Sequence, residues 1–406
     1  MKILNFLLQI CFIVILSFVL PYIYNSATKS ANKIEVVDFS VIKDDFLKAI
    51  YTTKPPKQFY FDLKTNEQID EEEYMQSLPF TYYYYLINKN KFPPSLSYFT
   101  SDISLIRQNT QNLRIKSGEN LLGDMPLFML LESEPKYLKL EMSDYLIDIE
   151  ENFKFIDMNT NSIDEALSRE FISVLTEQNV KFPIKKFYSN PSVLKSFDEG
   201  AFFIDGEDKI YHLKMVNSQP VLKNTQIDLK NIKKIIVSEH SRKEFYAAIV
   251  AQDGVYLITY ENYKIIKIPN FGYDFTKDNF TLEIDPLFKT ATYENDDNIS
   301  IIAMNPDYSV YKTHILKKEK NDFFVNLKQY LFSFETKLKM ESTSSAAKFK
   351  FTNFSYNSLF LSALLCVLAY FIFRRRGILP LFVVFFGGIY GFLAIILFNN
   401  SNKGKK

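Results

Sequence analysis

Three stretches of the chain are almost wholly apolar, and a long polar, aromatic-rich body lies between the first and the second. From Ile3 to Thr28 no residue is charged, and the core ILNFLLQICFIVILSFVLPYIY covers 22 residues. At 1.5 Å per residue, about 20 apolar residues cross a hydrocarbon core of ~30 Å. The other two stretches are NSLFLSALLCVLAYFIF (357–373) and ILPLFVVFFGGIYGFLAIILF (378–398), separated only by RRRG. This spacing predicts three transmembrane helices. The last two form a tight hairpin, and the small residues of GGIYG let helices approach closely. The first stretch exceeds the apolar region of about 7–15 residues in a cleavable signal and lacks a small-residue cleavage site. Tyr22 and Tyr24 stand at its end like interfacial anchors. It reads as an uncleaved anchor rather than a signal peptide.

Inside the body one phrase occurs twice. FYFDLKTNEQIDEEEYM begins at Phe59, and FKFIDMNTNSIDEALSREF begins at Phe153. Asp62 meets Asp157, the TN at 65–66 meets that at 160–161, and the ID at 69–70 meets that at 163–164. KFPP (91–94) then answers KFPI (181–184), and IKSGEN (115–120) answers FIDGED (203–208), with offsets held between 88 and 95. Alternating aromatics predict a strand with one buried face. The Asx-Thr-Asn cluster predicts a turn. ID followed by acids predicts a helix start with Asp as N-cap, and the residue before Pro ends the helix. A second strand pair turning at the glycine closes each unit. The chain is therefore expected to hold two related α+β modules that complete one core.

Beyond residue 200 the pattern is purely β. GAFFIDGEDKIYHLKMV, EFYAAIVAQDGVYLITYENYKIIKI and ISIIAMNPDYSVYKTHI each read strand, turn, strand, with turns about 50 residues apart. Three such units are propeller-like in spacing but too few to close a propeller. A curved antiparallel sheet beside the modules is the expectation. NDFFVNLKQYLFSFETKLKM (321–340) has helical spacing and leads to the membrane, with ESTSSAAK as a linker. The fold class is thus α+β and β-rich, with duplicated strand-turn-helix modules, antiparallel hairpins and three transmembrane helices. The expected segments are an anchor (1–27), a first module (28–145), a second (146–215), a β-rich region with a membrane-proximal helix (216–352), and a C-terminal hairpin with its tail (353–406).

Charge orients this plan. Arg374, Arg375 and Arg376 should stay cytoplasmic, and so should the end bearing Lys2. Three crossings then export residues 28–352 to the periplasm of a bacterial inner membrane. They also export the tail NKGKK, against the same rule. Net charge is +1, from 48 basic and 47 acidic residues, which argues against nucleic acid as a partner. Cys11 and Cys366 both fall in apolar stretches, leaving the body without a disulfide, thiolate metal site or cysteine nucleophile. DDNIS (296–300) resembles the extended bacterial sequon and makes Asn298 a candidate glycosylation site; a plain polar turn explains the same residues.

Catalytic chemistry is sparse. Asp157, Asn159 and Asn161 fall at positions 1, 3 and 5 of a calcium loop, but Ser162 replaces its glycine and Ser168 its final glutamate. His212, His240 and His314 lie apart, without paired metal spacing. No phosphate loop or nucleophile elbow is present, so no metal, cofactor or catalytic residue is assigned. The run Tyr82–Tyr85 is a binding platform or, by default, core packing.

NPSVLKSFDEGAFFIDGEDKIYHLKMVNSQP, VSEHSRKEFYAAIVAQDGVYLITYENYKIIKIP and LPFTYYYYL (78–86) resemble a bacterial family of membrane-anchored proteins known as a domain of unknown function. The resemblance covers nearly the whole chain and carries no functional residues. It implies neighbourhood with ABC-type export systems. The expected role is a non-catalytic periplasmic accessory or scaffold of a membrane complex, with an ABC-type transporter as partner. The alternatives are an envelope-substrate-binding or sensor module and, from a different class, a carboxylate-dependent envelope hydrolase.

Overall fold

The computed structural model describes residues 2–28, 33–53, 55–100, 103–118, 127–137, 139–149, 153–318, 322–340, 347–373 and 378–399. Two compact units emerge. One comprises Met1–Ile34, Tyr51–Lys57 and Glu319–Lys406, and the other Glu35–Ile50 and Gln58–Lys318. Helix α1 (Lys2–Thr28) opens the chain in the first unit.

The second unit is a succession of antiparallel meanders. Sheet one orders β1 (Lys33–Ser40), β2 (Asp45–Thr53), β3 (Pro56–Asp62) and β4 (Glu67–Ile69). Helices α2 (Glu71–Ser77), α3 (Tyr83–Asn88) and α4 (Ile103–Asn109) follow, with a 3-10 segment (Pro94–Thr100) and then β5 (Gln111–Ile115). Sheet two holds β6 (Leu127–Phe128), β7 (Tyr145–Asp148), β8 (Lys154–Asp157) and β9 (Ser162–Asp164), and α5 (Glu165–Glu177) follows it. Sheet three is β10 (Lys186–Ser189), β11 (Ala201–Ile204), β12 (Ile210–Val216) and β13 (Gln219–Asn224). Sheet four is β14 (Ile232–Val237), β15 (Phe245–Ala251), β16 (Gly254–Thr259) and β17 (Ile265–Lys267). Sheet five is β18 (Asn279–Ile284), β19 (Lys289–Glu294), β20 (Asn298–Met304) and β21 (Val310–Lys317), with β5 added beside β18.

Face-to-face packing explains the long apolar runs. Ala201 and Phe203 of β11 join Phe155 and Phe171 in the core of sheets two and three. Phe202 and Ile204 of the same strand face Ala247 and Ile249 of sheet four. Ala248 and Val250 in turn face Leu282 and Ile302 of sheet five, while Ile299 and Ile301 pack on Val37 and Phe46 of sheet one. A strand buried on both faces loses its alternation. The expected single curved sheet is therefore corrected to separate sheets in stacked layers. Among the described residues these do not close into a barrel or propeller.

The two similar phrases adopt the same local geometry. Lys64 and Thr65 N–H donate to Asp62 Oδ1 at 2.9 and 3.4 Å, as Asn159 and Thr160 N–H donate to Asp157 Oδ1 at 2.7 and 3.2 Å. Asn66 and Asn161 take left-handed φ of 58° and 52°. Asp70 caps α2 through Glu73 N–H, and Asp164 caps α5 through Ala166 and Leu167 N–H. The carboxylates that suggested a calcium loop thus build the turn. Beyond this point the two stretches part. The strand before Gly206 forms the β11–β12 hairpin, whereas β5 before Gly118 pairs with β18, Leu113 opposite Leu282. Among the described residues, the strand before Gly118 pairs with β18 and not with a strand following its own turn.

In the first unit, α6 (Asp322–Leu331) ends sooner than its helical spacing predicted, because β22 (Glu335–Met340) turns away to pair with β23 (Ala347–Thr352). Helices α7 (Ser358–Phe373) and α8 (Leu379–Asn399) follow. Two helices, α1 over Phe6–Thr28 and α8 over Pro380–Phe398, are long and apolar enough to cross a membrane. The third expected crossing, α7, falls short with 16 residues, about 24 Å. Helix α1 packs on the others through Phe12 against Phe398, with ring centroids 5.5 Å apart, and Ser17 Oγ lies 2.6 Å from Thr336 Oγ1.

Candidate functional site

A cleft of about 760 Å³ opens in the second unit where the β11–β12 turn meets the loop before β14. The turn IDGEDKI is held by Asp205, whose Oδ1 accepts Glu207 and Lys209 N–H, both at 2.9 Å. Its Oδ2 accepts Lys181 N–H at 3.1 Å. A Cβ on Gly206 would lie 3.0 Å from the Lys181 and Phe182 carbonyls, so glycine lets these segments meet. Across the cleft, Thr225 Oγ1 donates to the Ile210 carbonyl, and Gln226 and Asn231 adopt left-handed φ of 56° and 58°. Ile204, Ile210 and Ile227 line the cleft with their apolar side chains. Lys185 pairs with Asp208 at 2.6 Å and Lys209 with Glu207 at 2.9 Å. The Lys209 ammonium holds the Glu207 carboxyl below its usual range. An ionised carboxylate already paired to lysine is a poor general acid, so the cleft suits binding better than proton transfer.

Carboxyls pushed above their usual range lie elsewhere. Burial, helped by the charge of Asp38, pushes Glu283 on β18 up to about 7, against the pull of Arg114. Burial also pushes Asp285 up to about 6, although Phe288 and Leu287 N–H donate to it at 2.6 and 2.7 Å. Burial raises Asp38 on β1, whose Oδ2 accepts the Tyr74 hydroxyl at 2.6 Å.

A third polar group fills the end of the layer between sheets three and four. Glu199 is buried; it pairs with Lys214 and accepts the Tyr260 hydroxyl at 2.7 Å. His212 is buried between the Tyr263 hydroxyl (2.9 Å from Nδ1) and the Glu199 carbonyl (2.6 Å from Nε2), stacked on Phe202. Burial drives its pKa down to about 3, with Lys214 and Lys223 adding to the effect against the Glu199 carbonyl. A neutral, enclosed imidazole of that kind supports structure rather than base catalysis. Next to it Lys195 joins Asp198 and Glu239.

The remaining sequence candidates stay apart from these groups. His240 accepts Arg242 N–H at Nδ1, and His314 on β21 packs against Phe46. Asn298 opens β20 half-buried, directly after the polar turn, with its N–H donated to Asn295 Oδ1 at 2.9 Å. Arg374, Arg375 and Arg376 lie outside the described residues. Core packing holds for only half of Tyr82–Tyr85: Tyr82 and Tyr83 are half-buried, with the Tyr82 ring 6.2 Å from that of buried Tyr74, while Tyr84 is 70% and Tyr85 40% exposed. Tyr98, on the 3-10 segment, is 72% exposed, and its ring contacts Phe99, which packs on Phe80. Sequence reading missed the ionic interior, whose signal was the acid pair of SFDEGAFF set against a wholly apolar strand.

Among known families, the model described as Domain of unknown function (DUF4857) matches residues 36–304. Comparison with curated proteins finds no match.

Proposed function

The chain belongs to the DUF4857 family, and from that premise we propose that it is a non-catalytic, membrane-anchored scaffold whose second unit binds another membrane protein on the exported side. The observation that carries this reading is the tyrosine surface. Tyr84 and Tyr98 turn large rings to solvent, whereas the buried charges of Lys195, Asp198, Glu239 and Glu199 are engaged internally. Exposed tyrosines are the amphipathic anchors that interface hot spots favour. The sequence resemblance favours an ABC-type transporter of the bacterial inner membrane as the partner. The paired turn geometry of β3–β4 and β8–β9 supports reading them as copies of one ancestral unit.

A gentle-detergent pulldown of the full chain from native membranes should recover a second membrane protein at near-stoichiometric yield. The double variant Tyr84→Ala/Tyr98→Ala should lose at least about tenfold of it, as two hot-spot truncations imply. Recovery of the protein alone would sink the proposal. The side is tested separately. A phosphatase fused after residue 200 is expected to be active, and a bright cytoplasm-only fluorescent reporter there would reverse the orientation. A second reading, an envelope hydrolase, draws on Glu283 beside Asp38, because a carboxyl near 7 is what a general acid needs.

A further inference from the structure

We infer that α8 is a re-entrant helical hairpin that enters and leaves the membrane on one face instead of crossing it. This rests on the first unit being membrane-embedded, not on which side the second unit faces. The chain reverses at Gly388, whose φ of 55° and ψ of −134° interrupt the helix. A Cβ on Gly391 would fall 2.1 Å from the Val383 carbonyl oxygen. Eight residues of straight helix would separate these positions by about 12 Å. Val384 and Ile395 share a buried cluster with Ala369 of α7, so both halves of α8 pack against that helix. The halves, Leu379–Gly387 and Ile389–Asn399, are about 13 and 16 Å long, each well short of the ~30 Å core.

Irregular backbone at membrane depth persists only where protein or polar groups surround it. Here the break is enclosed. Ile13 of α1 approaches Gly387, and a Cβ on Gly388 would lie 2.4 Å from Ser333 Oγ and 3.3 Å from Ser362 Oγ. Both hydroxyls are buried without a hydrogen-bond partner among the described residues, and Ser362 is 1% exposed. They bring polar atoms to the point where two helix ends leave backbone groups unpaired. Glycine is required at 388 and 391, by φ at the first and by contact at the second.

The sequence charge agrees. A straight α8 would carry Lys403, Lys405 and Lys406 to the face opposite Arg374–Arg376, whereas a re-entrant one returns all six to one face. Single cysteines decide this in the full chain. Gly377→Cys and Ser401→Cys, each in a Cys11→Ser/Cys366→Ser background, are treated in intact cells with a membrane-impermeant maleimide. Equal accessibility is expected, and opposite accessibility would overturn the inference. Because only the relation between the two sites matters, a reversed second unit would leave the result unchanged. Gly388→Leu/Gly391→Leu should straighten α8 and separate the two sites. Labelling at position 401 that still matches labelling at position 377 in an inserted variant would also overturn it. If that variant fails to insert, the comparison in the cysteine-replaced background decides alone.

Discussion

Lys195→Met is expected to cost the second unit about 3–5 kcal/mol, the range for removing one partner of a buried ion pair. Lys195 Nζ lies 2.5 Å from each of Asp198 Oδ1, Glu239 Oε1 and the Asn190 carbonyl. Side-chain exposure is 7% for the lysine, 4% for Asp198 and 1% for Glu239. The carboxylates are tied in turn to the backbone: Gly200 N–H donates to Asp198 and Glu199 N–H to Glu239. Burial already pushes the Glu239 carboxyl up, and Lys195 is the chief opposing influence. Methionine keeps the unbranched stem, so packing changes little and the loss reports the charge. Two enclosed carboxylates would then face each other with no cation. The Glu239 carboxyl, already pushed up by burial, would rise further. The deficit should therefore be largest near neutral pH and shrink as the pH falls to below about 4, where the carboxyl becomes protonated in both states. Glu239→Gln added to Lys195→Met should recover part of the loss, because the two act as one network. The chain has no tryptophan, so unfolding is best followed by circular dichroism of the full chain in detergent. A loss under about 1 kcal/mol would show that the carboxylates find water or another partner.

That group illustrates what the sequence can and cannot disclose. Local chemistry was legible. The turns at Asp62 and Asp157, the caps Asp70 and Asp164 and the hairpin turns near Gly206 and Gly254 all follow from residues within a few positions of each other. Pairings between distant positions were not. Nothing near Leu113 says that its partner is Leu282, and the apolar alternation of β5 would suit any sheet edge. Lys195 and Glu239 are 44 residues apart, and each alone reads as a solvated charge. The 321–340 stretch carried a helical period through Phe334, but pairing of β22 with β23 overrode it. In GGIYG the small residues were read as a surface for a neighbouring helix. The structure uses them to turn the chain onto itself, which composition alone does not distinguish.

Glu283→Gln is expected to stabilise the protein at pH 8 by up to about 4 kcal/mol and to change little near pH 4. Glu283 is pushed up to about 7 by burial, with Asp38 adding to the effect and Arg114 opposing it. An unfolded glutamate titrates near 4.3, so between about 4.3 and 7 the folded state holds a proton that the unfolded state has lost. Stability tied to this group is therefore fully present below about pH 4.3, falls as the pH rises and is gone above about 7. Glutamine keeps the shape and removes the charge, so the variant should lose that slope. The shallower fall due to Asp285, pushed up to about 6, should remain between about pH 4 and 6. Relief should also reach Asp38, since Glu283 and Asp38 act on each other as like charges. Parallel unfolding curves at pH 5 and pH 8 test this directly, and a variant less stable than the parent at pH 8 would refute it. The same substitution separates the two functional readings. A scaffold with a more stable second unit should keep its partner in the pulldown. If stability rises while the partner is kept and an envelope activity disappears, Glu283 is held in a costly environment because it works there. The hydrolase reading then gains the residue that the cleft does not supply.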